Sequence, residues 1–519
     1  MNLRNTCLLF FFLFFLLPFE GVTHVDPTDT IPDIKAFCSE RKGFNLTGKF
    51  DVNWSNDGFH EKDFSVIHGL GFNFVRVPVD YRTYTLPGNW NHFVEEWVTQ
   101  IDKAINFGQK HAIHVCLNLH RAPGYCVNSA ELPAGQDLDL WTDTVAQNAF
   151  VRHWRYFADR YKNVPASMLS FNLVNEPSNV SEEDYVAVMQ KAIDAIHAIS
   201  PNRLIFVDGL NYGRDILLSL KDEPNIAQAI HSYDPFELTH YKASWVGGSN
   251  NWPVPVWPML TISNYLYGPY KGEYKSPLIL QGEFEAGTEI TVNVKQVSIE
   301  STLRIKADNQ TVLSKKFICG PVAGNDFTQV IETEWGYQNI SNKDFSCTLT
   351  TAATSLAFDN ASGDWMTINS ITIKTGNEIH NYKLFDNEWG KKQQTYMLDS
   401  NWRIKNLDGS LPLPFENYQK NFALARDNNI PIMVLEFGVH NKTPHDVSVA
   451  FLDDLSAFFR ENETGWALWN FTGSFGIMNS NRSDCEYETY QGYHLDREML
   501  EALTEPGSAS AVGEKKKID

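Results

Sequence analysis

Two glutamates, Glu176 and Glu436, each close an apolar run of the kind that forms a buried strand: Phe171-Asn-Leu-Val-Asn-Glu and Val434-Leu-Glu. An ionised carboxylate at the end of a buried strand is costly unless it has a partner or a task. Cleavage of a glycosidic bond is one such task, and it needs two of these groups. One protonates the leaving oxygen, and the other attacks the anomeric carbon or activates water. A single strand-end glutamate is more often an ion-pair partner than a catalyst. Here, other apolar runs end in Arg76, His120, Asn175, His231 with Tyr233, and Trp469, and that company favours chemistry.

The runs that carry these residues recur along the chain. Strands are expected at Gly43–Leu46, Phe72–Val79, Ile113–Leu119, Met168–Val174, Arg203–Val207, Ile226–Ser232, Ile432–Phe437 and Trp466–Asn470. Between most of them apolar residues fall at helical spacing, as in Glu95–Phe107, Val145–Tyr161, Tyr185–Ile199, Tyr418–Arg426 and Val447–Phe459. Eight strands alternating with helices predict an α/β fold, a (β/α)8 TIM barrel, whose active face is the C-terminal end of the strands. From about 282 to 374 the rhythm changes to period-two alternation with frequent turn residues, which predicts an inserted all-β domain, a sandwich or jelly roll. The expected organisation is residues 1–22 as a signal peptide and 23–281 with 375–505 as the barrel. Residues 282–374 form the insertion, and 506–519 a disordered tail.

Phe171-Asn-Leu-Val-Asn-Glu-Pro resembles the Asn-Glu-Pro signature of glycoside hydrolase family 5 and its clan, on the fourth strand. Val434-Leu-Glu-Phe-Gly resembles the clan's seventh-strand nucleophile motif. The resemblance spans about Gly43 to Leu503 apart from the insertion, as an ordered set across six strands. It implies a retaining double displacement, with Glu176 as general acid/base and Glu436 as nucleophile. It also implies that Arg76 pairs with Glu436 and keeps it ionised, and that Asn175 holds the sugar's 2-hydroxyl. Tyr233 would hydrogen-bond the nucleophile, His231 would stand beside the acid/base, His120 would bind hydroxyls, and Trp469 would be the floor on which the sugar stacks.

The loops carry less information. Arg121 and Tyr125, in His120-Arg-Ala-Pro-Gly-Tyr-Cys, depart from the family's commoner loops and would shape the pocket. Trp245, Trp252 and Trp257 follow the sixth strand among prolines. They read equally as stacking residues on the leaving-group side or as cover for the barrel rim. In the insertion, Gly363-Asp-Trp-Met-Thr-Ile loosely resembles an end strand of a jelly-roll carbohydrate-binding module, with Trp365 either core or ligand contact.

Composition narrows the partners. A net charge of −20 over 519 residues repels phosphate backbones, so nucleic acid is excluded as a partner and a neutral β-linked polysaccharide or oligosaccharide is not. An early arginine and the apolar run Cys7–Leu17, ended by Pro18, read as a signal for export and are too short to span a membrane. The expectation is a secreted monomer without membrane insertion or cofactor. No His-x-His stands near the first strand to suggest a metal-dependent barrel hydrolase. The rival of another class is an inactive barrel that binds carbohydrate. Six cysteines remain after Cys7, and the expected pairs are Cys319 with Cys347 and, as an alternative, Cys126 with Cys485; Cys116 reads as a buried thiol. Asn179, Asn309, Asn339, Asn360 and Asn462 head glycosylation sequons, whereas Asn45 and Asn470, in expected strands, are poor acceptors.

Overall fold

A computed structural model describes residues 30–128 and 138–505. The expected signal peptide and the expected tail both lie outside the described residues. The chain divides into two compact units. One comprises the chain up to His231 together with Ala425–Glu436 and Glu463–Asn470. The other comprises Ser232–Leu424, Phe437–Asn462 and the chain from Phe471.

The first unit is a closed barrel of eight parallel strands. They are β1 (Lys42–Asn45), β2 (Phe74–Asp80), β3 (His114–Arg121), β4 (Leu169–Asn172), β5 (Ile205–Asp208), β6 (Ile226–His231), β7 (Ile432–Glu436) and β8 (Trp466–Leu468). Helices Glu61–Gly69, Glu95–Lys110, Thr144–Arg160 and Glu182–His197 follow β1 to β4 in turn. Each helix turns an apolar stripe inward; in Thr144–Arg160 it is Ala149, Phe150, Trp154 and Phe157. Side chains cap helix starts in this unit: Asp143 accepts from the Val145 amide, Ser181 from Asp184, and Asp33 from Ala36.

The barrel interior is layered. A lower layer is apolar, with Phe74, Cys116, Phe206, Ala227, Ala229, Met433, Leu435 and Ala467 packed against Phe37 and Cys38 of the short helix Ile34–Ser39. Gly43 of β1 is required for closure, because a Cβ there would fall 1.6 Å from the carbonyl oxygen of Phe74. The residues that end the strands are polar, which is the arrangement a barrel offers for chemistry.

Arg203, just before β5, ties the barrel wall together. Its guanidinium donates to the carbonyls of Leu169 (2.7 Å), Val164 (2.7 Å), Tyr161 (3.0 Å) and Pro165 (3.3 Å). Replacement by leucine removes all four of these bonds from a buried wall, while the Tyr161 and Pro165 carbonyls keep backbone donors from Val164, Met168 and Leu169. Arg203→Leu is expected to destabilise the fold by about 3 kcal/mol. A urea-unfolding midpoint unchanged from the parent protein would refute this.

In the second unit, strands between Leu260 and Lys405 form two sheets, as a sandwich requires. One contains Gly336–Thr348, Glu289–Ser298, Trp365–Thr375 and Glu378–Asp386; the other contains Gln310–Ile318, Glu300–Ala307, Ala353–Gly363 and Leu278–Phe284. The sheets therefore reach beyond the expected 282–374 on both sides. The outlying strands Leu260–Ser263, Tyr265–Tyr267 and Thr395–Leu398 are only three or four residues long. Too few residues alternate there to announce a strand locally.

The expected disulfides are corrected. No disulfide joins any of the six cysteines among the described residues. Cys347 lies on Gly336–Thr348 in one sheet, whereas Cys319 follows Gln310–Ile318 of the other, where its Sγ donates to the carbonyl of Val297 at 3.1 Å. Likewise no disulfide joins Cys126 to Cys485, and Cys116 is buried in β3. Two sequon asparagines are also structural. The Asn339 amide donates to Gly320 at 3.0 Å, and the Asn360 amide to Ser301 Oγ at 3.1 Å, both in buried positions.

Candidate active site

Arg76, near the middle of β2, is fully buried and organises the strand-end layer. Its Nη1 donates to Glu436 Oε1 at 2.5 Å and to Asn45 Oδ1 at 3.0 Å. Nη2 donates to Asn175 Oδ1 at 2.8 Å and Nε to Asn172 Oδ1 at 2.9 Å. Asn45 is held in turn, its amide donating to the carbonyl of Leu435 at 2.9 Å. The guanidinium thus joins β1, β2, β4 and the end of β7.

Glu436 ends β7. The pairing of β6 and β7 shifts register between Val434 and Glu436, which sets Glu436 opposite His231. Burial pushes its carboxyl above the ordinary carboxylate range, and His231 and the Arg76 guanidinium push back. Glu176 stands past the end of β4 with φ at 47°, in the left-handed region. Its backbone N–H donates to Asp208 Oδ2 at 2.9 Å, and its carbonyl accepts from Tyr125 Oη at 2.6 Å. About 17 % of its side chain reaches solvent, against 4 % for Glu436. Its carboxyl pKa is raised to about 8, first by burial and second by the charge of Asp208, with Arg76 opposing. The two carboxyls therefore differ in character: Glu436 touches a guanidinium, and Glu176 faces another carboxylate.

His231, at the end of β6, stands between them. Its Nδ1 is 3.2 Å from Glu176 Oε1 and 3.6 Å from Glu436 Oε1, and its Nε2 is 3.5 Å from Asp208 Oδ2. Burial lowers its pKa, so the imidazole is neutral near pH 7. Nearest atoms of Glu176, His231 and Glu436 all lie within 4.8 Å of one another. Such a set has the size of a cation site, but the Arg76 guanidinium already occupies the Glu436 oxygen. In the second unit His445, Cys485 and Asp496 also converge, with His445 Nε2 bonded at 3.0 Å to both Asp496 oxygens.

His120 and Trp469 form one wall. Their rings stack at 5.6 Å with 26° between planes, and Phe50 packs against both. Burial holds the His120 pKa well below its ordinary value. His120 Nδ1 and Asn175 Nδ2 are buried without a hydrogen-bond partner, unusual for groups of this kind. Arg121 lies over the Phe50 ring at 4.6 Å and 3.4 Å from Asp51 Oδ2, so it braces this wall from behind.

The structure thus brings together Arg76, His120, Asn175, Glu176, His231, Glu436 and Trp469 in the first unit. Tyr233 belongs to the second unit, where its ring meets His240 at 5.0 Å and Phe475 at 6.1 Å. Trp257, also there, is packing: it stacks on Phe415, meets Phe451 edge-on, and donates to Asp454 at 2.8 Å. Trp245 is exposed, and Trp252 meets Phe236 edge-on at 6.0 Å.

Three residues of this layer escaped the sequence reading: Asn45, Asn172 and Asp208. Asp208 ends β5 as Glu436 ends β7, so the same search for polar strand ends would have found it. It accepts from the Asn172 amide at 2.6 Å as well as from the Glu176 N–H.

Residues 37–269 match the family model described as cellulase, glycosyl hydrolase family 5. The matched segment ends before β7, and over it the chain is similar to glycosyl hydrolase family 5. The chain is 31 % identical over 217 residues to endoglucanase C of Acetivibrio thermocellus, which covers 40 % of this chain and 61 % of that protein. It is 26 % identical over 216 residues to cellodextrinase A of Ruminococcus flavefaciens, covering 39 % and 61 %. The chain therefore spans about three fifths of the length of these relatives. Among solved structures, a glycoside hydrolase aligns at 25 % identity with a TM-score of 0.57, covering 90 % of this chain and 99 % of that one. Thermotoga maritima Cel5A in complex with mannotriose aligns at 16 % identity with a TM-score of 0.52, covering 91 % and 99 %. That likeness concerns the fold.

Proposed function

We propose that the protein is a retaining β-glycosidase that hydrolyses O-glycosidic bonds of a β-linked glucan or mannan, or of oligosaccharides derived from one. The observation that carries this reading is the pair of strand-end carboxyls, Glu176 and Glu436, with nearest oxygens within 4.8 Å. Retaining enzymes set their carboxyls about 5 Å apart, whereas inverting enzymes leave room for a water between them. The relatives named endoglucanase and cellodextrinase support a β-glucan as substrate.

The steps follow from the two environments. Glu176, protonated near neutral pH, donates to the glycosidic oxygen as the bond to the anomeric carbon breaks. Glu436, ionised against Arg76, attacks that carbon from the opposite face and forms a glycosyl-enzyme ester. Glu176, now a carboxylate, takes a proton from water, which attacks the ester and frees the sugar with its configuration retained. His231 stays neutral between the two carboxyls and stabilises the arrangement without competing for the proton. The unpartnered Asn175 Nδ2 and His120 Nδ1 suit hydroxyls of the same sugar, and Trp469 offers an apolar face beside His120. Tyr233 is proposed as a further substrate-side group on the family resemblance alone.

Among the described residues no helix is long and apolar enough to cross a membrane. Separately, the apolar run Cys7–Leu17 behind an early arginine is what supports secretion as part of the proposal.

The test is hydrolysis of aryl β-glucoside, aryl β-mannoside, cello- and manno-oligosaccharides, and soluble β-glucans and mannans, with products followed over time and their anomeric form read by NMR. The expected first product is the β-anomer. Release of the α-anomer would overturn the retaining assignment, and binding without turnover on every substrate would overturn the activity.

A further inference from the structure

We propose that Asp208 is a positioning residue that holds both ends of the catalytic pair: it fixes the turn that aims Glu176 and, through Asn172, the guanidinium that pairs with Glu436. This rests on the hydrolase reading above.

The geometry has two arms from one buried carboxylate. On the first, Oδ2 accepts the Glu176 backbone N–H at 2.9 Å. Glu176 sits at φ 47°, a conformation that non-glycine residues occupy only when the surroundings hold them there. Tyr125 Oη clamps the other side of the same residue, donating to the Glu176 carbonyl at 2.6 Å. On the second arm, Oδ1 accepts from Asn172 Nδ2 at 2.6 Å. This orients the Asn172 amide so that its oxygen faces Arg76 Nε, at 2.9 Å. Arg76 then meets Glu436. Asp208 is itself anchored from behind, its backbone carbonyl accepting from Tyr185 Oη at 2.8 Å.

Besides Asp208, three ionisable groups face Glu176 or Glu436: Arg76 on β2, Tyr125 after β3, and His231 on β6. Arg76 counters Glu436 at contact distance, and His231 and His120 are held neutral by burial. Asp208 is the group whose charge adds to burial in keeping the proton on Glu176. A neutral residue there should release that proton at lower pH.

Asp208→Asn tests the idea because an amide keeps the shape but cannot accept from both donors. One arm must face an N–H with an N–H. Expected are a basic limb of the kcat/KM profile moved down by about one pH unit or more, and a kcat for a disaccharide reduced about 10²-fold. The loss on a dinitrophenyl glycoside, whose leaving group needs no proton, should be much smaller. Asn172→Ala cuts only the second arm. It should lower kcat on both substrates and leave the basic limb in place. Asp208→Glu keeps the charge on a longer arm and serves if Asp208→Asn does not fold. It should lose kcat without moving the limb.

An unmoved basic limb in Asp208→Asn, or equal losses at every pH and for both leaving groups, would overturn the proposal and reduce Asp208 to a packing residue. A parent protein that turns over no β-glycoside would instead overturn the hydrolase reading, independently of what Asp208 does.

Discussion

Glu436→Ala is expected to abolish turnover, lowering kcat by about 10⁴-fold or more on any β-glycoside. The side chain it removes is the only carboxylate in contact with Arg76 among the described residues, and no neighbour is placed to attack in its stead. His231 is nearest, but its Nδ1 already faces Glu176 at 3.2 Å. Because alanine leaves a buried guanidinium without its partner, Glu436→Gln is the companion variant, and a melting curve of each separates lost chemistry from lost fold. Azide added to Glu436→Ala should enter the vacated volume and restore cleavage of a dinitrophenyl glycoside. It should give an α-glycosyl azide, since a single displacement inverts. Undiminished activity, or a β-azide product, would remove Glu436 from the nucleophile's role.

Glu176→Ala is expected to behave differently with each leaving group. Loss of the acid should cost about 10²- to 10⁴-fold for a sugar leaving group and little for a dinitrophenolate in the first step. The glycosyl-enzyme then accumulates, because no base activates water, and a burst of dinitrophenolate precedes a slow steady rate. Azide should speed that rate and give a β-glycosyl azide. The parent protein should lose kcat/KM as pH rises through about 8, where Glu176 gives up its proton, and the variant should lack that limb. The sign for stability is the same. A carboxyl whose pKa is raised on folding favours the fold at acidic pH, and that contribution disappears as pH rises through about 8. Equal losses for both leaving groups would exclude Glu176 as the acid.

The barrel strands were legible within one or two residues because a parallel strand buried on both faces is a short apolar run ended by something polar. The same rule exposed Glu176, Glu436, Arg76, His120 and His231. It would have exposed Asp208 as well, because Asp208 directly follows the run read as Arg203–Val207 just as His120 follows Ile113–Leu119; β5 runs Ile205–Asp208. Asn45 and Asn172 lie inside strands, where an asparagine gives no local sign of its partner. Asn45 drew notice only as a sequon, yet its Oδ1 accepts from Arg76. The cysteines misled for a physical reason. An even number suggests pairs, but the sheet to which each strand belongs depends on partners far away in the chain. Cys319 and Cys347 sit only 28 positions apart in sequence, yet Cys319 follows a strand of one sheet and Cys347 lies on a strand of the other.

The position of the insertion has a consequence for synthesis. β6 ends at His231 and β7 begins at Ile432, so a ribosome must make some two hundred further residues before the ring of strands can close. At about 5–20 residues per second this delay lasts roughly ten to forty seconds. Throughout it, six strands wait with two open edges, while the sandwich strands, complete by Lys405, are free to pair among themselves. Glu436 and Trp469 are delivered only after this interval. A nascent or prematurely terminated chain can carry Glu176 and all of its supporting groups and still lack the second carboxylate, so hydrolytic competence would arise only after the sandwich and β7 have been made.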